Sequence, residues 1–277
     1  MPFVLALAAA AAFGTADFVG GVASRRSSAI LVTVLAQAGG ASLLIPGLLL
    51  TRSPFSLDGV LWGAAAGVAG GLGLVIFFRA LARGTMSMVS PLTAVFAGGI
   101  AVLAGLLLGE SIGAASWVGI ACGLVAVFLI GWVRGHGAGT GLGAQVAMAL
   151  AAGAGFGCFF VALAQTPASS GLWPLAGARV ASFSVLFAVL LLSRGAVAQA
   201  GAAIRLGVIS GMLDMGANIL YLLAVRQGDL AIIAVLASLY PAATLLLSFR
   251  LLGERLRWHQ LAGVGLALAS VALIAAG

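Results

Sequence analysis

Apolar residues run along this chain in ten long stretches, and the polar residues between them come in short clusters. The runs lie near residues 3–22, 29–50, 58–81, 85–108, 114–133, 141–163, 172–192, 204–224, 229–250 and 257–276. A hydrocarbon core of roughly 30 Å takes about 20 helical residues to cross, so each run suffices for one crossing. The runs are about twice as long as a membrane strand and lack its apolar–polar alternation, and a helix satisfies every backbone donor within its own segment. The expectation is an all-α, polytopic membrane protein with ten transmembrane helices and no soluble domain. The first run lacks a basic leader, carries Asp17, and has a Phe13-Gly14 pair echoed by Phe156-Gly157 later in the chain. It is read as a helix of the mature protein rather than a secretory signal.

The pattern repeats. Leu107-Leu108-Gly109-Glu110 returns 144 positions later as Leu251-Leu252-Gly253-Glu254, Gly84 as Gly228, and Gly119 as Gly263. At this offset residues 62–133 and 206–277 share 15 identities in 72 positions, including Gly63 and Gly67 as Gly207 and Gly211. Two copies of one apolar unit are the trace of a carrier built from internal repeats. The expected division is a first repeat over 1–133, a linker at 134–140 and a second repeat over 141–277. Five spans per copy is an odd number, so the second copy is expected to run inverted through the membrane.

Composition changes the picture only by ruling things out. Hydrophobic residues make up 63% of the 277 and charged ones 7%, too few to clothe a water-soluble globule. The net charge of +7 comes from 13 basic residues, all Arg and scattered at the ends of apolar runs, where they anchor a membrane and give no argument for nucleic acid. Loops between spans 1-2, 3-4, 5-6, 7-8 and 9-10 hold Arg25, Arg26, Arg79, Arg83, Arg134, Arg194, Arg205, Arg250, Arg255 and Arg257, against Arg52 and Arg226 in the others. The positive-inside rule then places the odd-numbered loops in the cytoplasm and both termini outside, with the plasma membrane as the expected location. Cys122 and Cys158 lie inside apolar runs and read as small packing residues.

The run from Arg226-Gln227-Gly228-Asp229 to Ser238-Leu239-Tyr240-Pro241, followed by Gly253-Glu254-Arg255-Leu256 and Gly263, resembles the second repeat of EamA-type transporters of the drug/metabolite transporter superfamily. The resemblance extends over nearly the whole chain. It implies a permease or exporter of amino acids, other metabolites or drug-like compounds that works without ATP hydrolysis. Two departures stand beside it: Ala97 occupies the place of Pro241 in the first copy, and family members are commonly described with both termini cytoplasmic, against the arginine count.

Candidate chemistry lies among polar groups stranded at membrane depth, each costing a few kcal/mol unless paired or facing water. Asp17, Gln37, Arg179 and Asp214 are such groups. Arg179 and Asp214 enter spans 7 and 8 from opposite faces, with an axial gap of roughly 8 Å that a guanidinium can nearly close. They are expected to pair beside the translocation path, either to lock the two spans together or to serve transport. Asp214, Asn218 and Tyr221 fall at i, i+4 and i+7, one polar face in an otherwise apolar helix, which suits the wall of a wet cavity. Asp17, with Phe13 one turn before it, is read either as a helix-end acid near Arg25 and Arg26 or as a carboxyl able to take a proton or a substrate ammonium. Between the copies Gln37 matches Arg179, whereas Asp17 falls opposite Phe160 and Asp214 opposite Gly70, so one asymmetric pocket is expected. Tyr240 and Trp173 are aromatic candidates for its walls, with interfacial anchoring or packing as the plainer reading.

Glu110 and Glu254 are read as caps opening spans 5 and 10. Gly63, Gly67 and Gly71 on span 3, Gly207 and Gly211 on span 8, and Gly119 and Gly123 on span 5 make small-residue faces for close helix packing. His136 and His259 are placed in loops. With no metal spacing, P-loop or nucleotide motif, an enzyme or an ATP-driven pump is not expected, and no cofactor is implied. The partners expected are a small-molecule substrate, a proton as candidate coupling ion and the lipid bilayer, with the chain a monomer or weak homodimer. A passive channel for a small solute is the alternative, since it too would show ten spans and a polar midplane.

Overall fold

The computed structural model describes residues 1–83, 86–131, 142–192, 201–252 and 257–276. The linker 134–140, His136, Arg134, Arg194, Arg255 and Glu254 lie outside the described residues, and so do Gly84 and Gly253 of the repeat. The order is α1 (Pro2–Ser24), α2 (Ala29–Thr51), α3 (Leu57–Arg83), α4 (Met86–Leu107), α5 (Ala114–Gly131), α6 (Leu142–Ala164), α7 (Trp173–Leu192), α8 (Gly201–Val225), α9 (Leu230–Ala237), α10 (Tyr240–Leu252) and α11 (Trp258–Ala276), with a single 3-10 turn at Ala168–Ser170. No strand occurs among the described residues. Eight segments are long and apolar enough to cross a membrane, and α5 and α11 are shorter apolar helices. The protein is an all-helical, multi-pass membrane protein.

The ninth apolar run departs from the expected single helix. It breaks at Ser238-Leu239 into α9 and α10. Pro241 stands in the first turn of α10, where it lacks a donor, and in a continuous helix its ring would meet the carbonyl of Ala237. The chain tightens instead, with Leu239 N bonded to Leu236 O at 3.2 Å. Irregular backbone at this depth must be enclosed by protein, and all eight residues of α9 are buried.

Glu110 caps a different helix from the one its sequence position suggests. Its carboxylate accepts hydrogen bonds from Leu230 N at 2.6 Å and Ala231 N at 3.0 Å, the first turn of α9. Asp229, at the N-cap itself, makes no side-chain capping bond. A carboxylate from the first half thus meets the positive end of a helix in the second, where charge and dipole attract. His259, expected in a loop, is the second residue of α11, with Nδ1 3.2 Å from Leu129 O. Arg79, Arg205 and Arg250 likewise lie within α3, α8 and α10 rather than between helices.

Helices of the two halves interleave. α3 packs along α6 and α7, α8 along α1 and α2, α4 against α6 and α9, and α5 along α11. Glycines set the closest of these approaches. A Cβ at Gly63 would collide with the carbonyl of Pro174, and one at Gly67 with the carbonyl of Ala178, so two turns of α3 lie directly on α7. On α8, Gly211 bears on the backbone of Ala36 in α2, and Gly119 and Gly123 of α5 face Ser270 of α11. Ser270 Oγ donates to Gly119 O at 2.6 Å.

This packing makes a prediction. Gly63→Ala is expected to destabilise the protein by about 1–3 kcal/mol through overpacking, seen as a lowered melting temperature in detergent. Gly99→Ala, where an added Cβ meets nothing within 4 Å, should leave the melting temperature unchanged or raise it.

Candidate functional site

Seven helices, α1, α2, α3, α6, α7, α8 and α10, converge on one cavity of about 690 Å³ including its mouth. Its walls are mostly apolar with a few polar groups, the make-up of small-molecule sites. Both halves contribute to it, and among the described residues α4, α5, α9 and α11 supply none of the lining.

A hydrogen-bonded chain of four side chains crosses one wall. Arg179 of α7 donates through Nη1 to Gln37 Oε1 of α2 and through Nη2 to Asp214 Oδ2 of α8, the latter at 2.6 Å. Asn218, one turn after Asp214, donates from Nδ2 to Asp214 Oδ2 at 3.0 Å and to Asp214 O at 2.8 Å. The axial gap inferred between Arg179 and Asp214 is therefore bridged by the side chains. Gln37 and Arg179, matched as counterparts between the copies, meet as bonding partners. Gly40 makes this possible: a Cβ there would lie 2.6 Å from the Arg179 guanidinium carbon. No periodicity or motif marks Gly40 for this role, since its partner sits 139 positions away.

Asp17 occupies the cavity wall with a different status. It is buried on α1, lines the cavity, and makes no hydrogen bond or ion pair among the described residues. The helix-end reading beside Arg25 and Arg26 is not what the structure displays. Instead Asp17 lies in electrostatic range of Asp214 and Tyr240. With both carboxylates ionised, the one guanidinium, paired to Asp214, leaves the three groups a single net negative charge.

Aromatic rings surround these groups. Phe13 and Phe160 face each other with centroids 6.1 Å apart, Phe159 and Phe160 at 6.0 Å, and Phe156 and Tyr240 complete the ring-lined part of the wall. Phe156, Phe159 and Phe160 share one face of α6 at i, i+3 and i+4, a spacing visible in sequence but indistinguishable there from ordinary core packing. Tyr240 lines the cavity, its hydroxyl 3.5 Å from Ser90 O. Tyr221 does not line it. It is fully buried behind Phe160, stacked at 4.4 Å, and its hydroxyl donates to Phe160 O at 3.4 Å. The polar face proposed for span 8 therefore ends at Asn218. Trp173 is not part of the cavity lining: its Nε1 donates to Ser53 O at 3.2 Å and its ring lies edge-on to Phe55.

Just after α8, Arg226 donates to Ser170 Oγ at 2.9 Å and to Pro167 O at 3.3 Å, and its half-burial pulls the guanidinium below its ordinary pKa. Among the described residues no cluster of three or more His, Cys, Asp or Glu side chains is arranged to hold a metal.

The family model described as the EamA-like transporter family matches this chain twice, over residues 1–132 and 143–276. A solved crystal structure superimposes with a TM-score of 0.74 over 96% of this chain and 98% of its own, at 18% identity, a likeness of fold. No curated protein matches the chain.

The buried pair sets an expected stability pattern. Arg179→Met leaves Asp214 without its cation and should cost about 3–5 kcal/mol, whereas pairing it with Asp214→Leu removes the stranded charge and should recover most of that loss. Melting temperatures in detergent check this; a double variant that loses as much as the two single variants added together would show that the two side chains are not coupled.

Proposed function

The chain belongs to the EamA-like transporter family, and on that premise we propose that it is a secondary carrier of a small metabolite or drug-like compound, working by alternating access. The family consists of membrane transporters and not enzymes. The observation that carries the finer reading is the cavity itself, which is lined by both halves and holds buried charge at mid-helix positions of α1, α7 and α8. Charged groups at this depth are expensive, and a solute path is the usual reason for them.

In this proposal the repeats, 1–133 and 141–277, are inverted five-helix units that rock about the cavity, sliding on the glycine faces between α3 and α7 and between α8 and α2. Asp17, Gln37, Arg179, Asp214, Asn218 and Tyr240 contact the solute or the coupling ion. Tyr221 acts from behind through Phe160. Protons are the proposed coupling ion, with Asp17 and Asp214 the carboxyls placed to take them up. The plasma membrane, cytoplasmic odd-numbered loops and a monomeric or weakly dimeric state belong to the same proposal, with the direction of transport left open.

Two measurements test it. In proteoliposomes preloaded with unlabelled solute, a carrier accelerates uptake of labelled solute; robust flux without that trans-stimulation would instead identify a channel. Arg179→Ala and Asp214→Asn are expected to abolish the stimulated flux while inserting normally, and wild-type rates in both would remove the central pair from the mechanism. For orientation, in a background lacking Cys122 and Cys158, Ser169→Cys should react in intact cells with a membrane-impermeant thiol reagent and Ser28→Cys, likewise exposed in the structure, should not. The opposite pattern would invert the topology.

A further inference from the structure

The polar atoms of the cavity are not equally available to a solute. Both Nη groups of Arg179 are committed, one to Gln37 and one to Asp214. Asp214 in turn accepts from Arg179 and from Asn218. A substrate carboxylate would meet a guanidinium whose charge is already neutralised by the part-buried Asp214 carboxylate held at 2.6 Å, and would have to compete with it. Besides Asp214 Oδ1, which belongs to a carboxylate already paired with Arg179, two acceptors have no hydrogen bond among the described residues. One is the Asp17 carboxylate, which has no partner among the described residues. The other is Asn218 Oδ1, buried and without a hydrogen bond. The orientation of that amide is fixed, because the atom facing Asp214 O and Oδ2 must be a donor, which leaves the oxygen turned the other way. Buried acceptors without partners call for a donor from outside the protein.

Charge and shape agree with this. The ionised cluster of Asp17, Arg179 and Asp214 carries one net negative charge, which one cation neutralises. The wall beside Asp17 is built from Phe13, Phe156, Phe159, Phe160 and Tyr240, whose ring faces attract cations and whose bulk suits an aromatic or branched apolar body.

We propose that the cavity selects a singly charged organic cation, an ammonium borne on an aromatic or apolar body, with Asp17 as its counter-ion. This rests on the transporter reading and narrows its substrate class: zwitterionic and anionic solutes lose, because the one cationic side chain in the cavity is already neutralised from within.

The test is equilibrium binding to the purified full-length protein in detergent, by calorimetry, with four probes sharing one aromatic body: phenethylamine, phenethyl alcohol, phenylalanine and hydrocinnamate. Phenethylamine is expected to bind at least about tenfold tighter than each of the others. Asp17→Asn should bring its affinity down to that of the alcohol, Asp17→Glu should retain it, and both variants should melt as the wild type does. Binding of phenylalanine or hydrocinnamate as tight as that of the amine overturns the proposal. So do unchanged amine affinity in Asp17→Asn and absence of amine binding to the wild type at the solubility limit. The four-probe comparison on the wild type stands even where a variant fails to fold. Counterflow separates the two levels: amine binding without trans-stimulated flux refutes the carrier and leaves the cation site standing, whereas trans-stimulated flux of another solute class refutes the cation site alone.

Discussion

A guanidinium held between a carboxylate and an amide inside the bilayer is the constraint on which this architecture turns. Arg179 reaches Gln37 on α2 and Asp214 on α8, so one side chain ties three helices from both halves. A charge in so dry a place is tolerable only when it is paired and its remaining donors are satisfied. Gly40 clears the space, and the close approaches of α3 to α7 and of α8 to α2 bring the three side chains within reach. Packing and electrostatics are thus one problem here: the small-residue faces exist where the helices must lie close enough for a short polar chain to close.

The same economy governs the broken span. Pro241 forces α9 and α10 apart at a depth where open backbone groups are costly, and the break is tolerated because all of α9 is enclosed. Glu110 supplies from the other half the acceptor that α9's first turn lacks locally. The two halves therefore complete each other's helices as well as sharing a cavity. An arrangement of this kind couples any movement of one half to the termini and packing faces of the other.

Much of the fold was legible from residue order. All ten apolar runs appear as helical segments with ends within a few residues of those expected, because water and hydrocarbon sort residues by polarity with little regard to tertiary context. Asp17, Gln37, Arg179, Asp214, Asn218 and Tyr240 stood out for the same reason, and all six line the cavity. Tyr221 was misplaced along the axis rather than around it: at i+7 it lies only about 20° from the face of Asp214 but roughly 10 Å further along α8, where it packs on Phe160 instead of lining open space. Glu110 and Gly40 were misread or missed because their partners lie 120 and 139 positions away.

The sequence by itself determined the solvent, the secondary structure, the doubling of the unit and the list of groups too polar for their surroundings, since each of these follows from local composition and spacing. Only the tertiary structure decided which of those groups neutralise one another and which stay free. Pairing at membrane depth is set by distances between helices far apart in the chain, and a carboxyl such as Asp17 is defined chemically by whether a cation lies beside it, which no local pattern encodes.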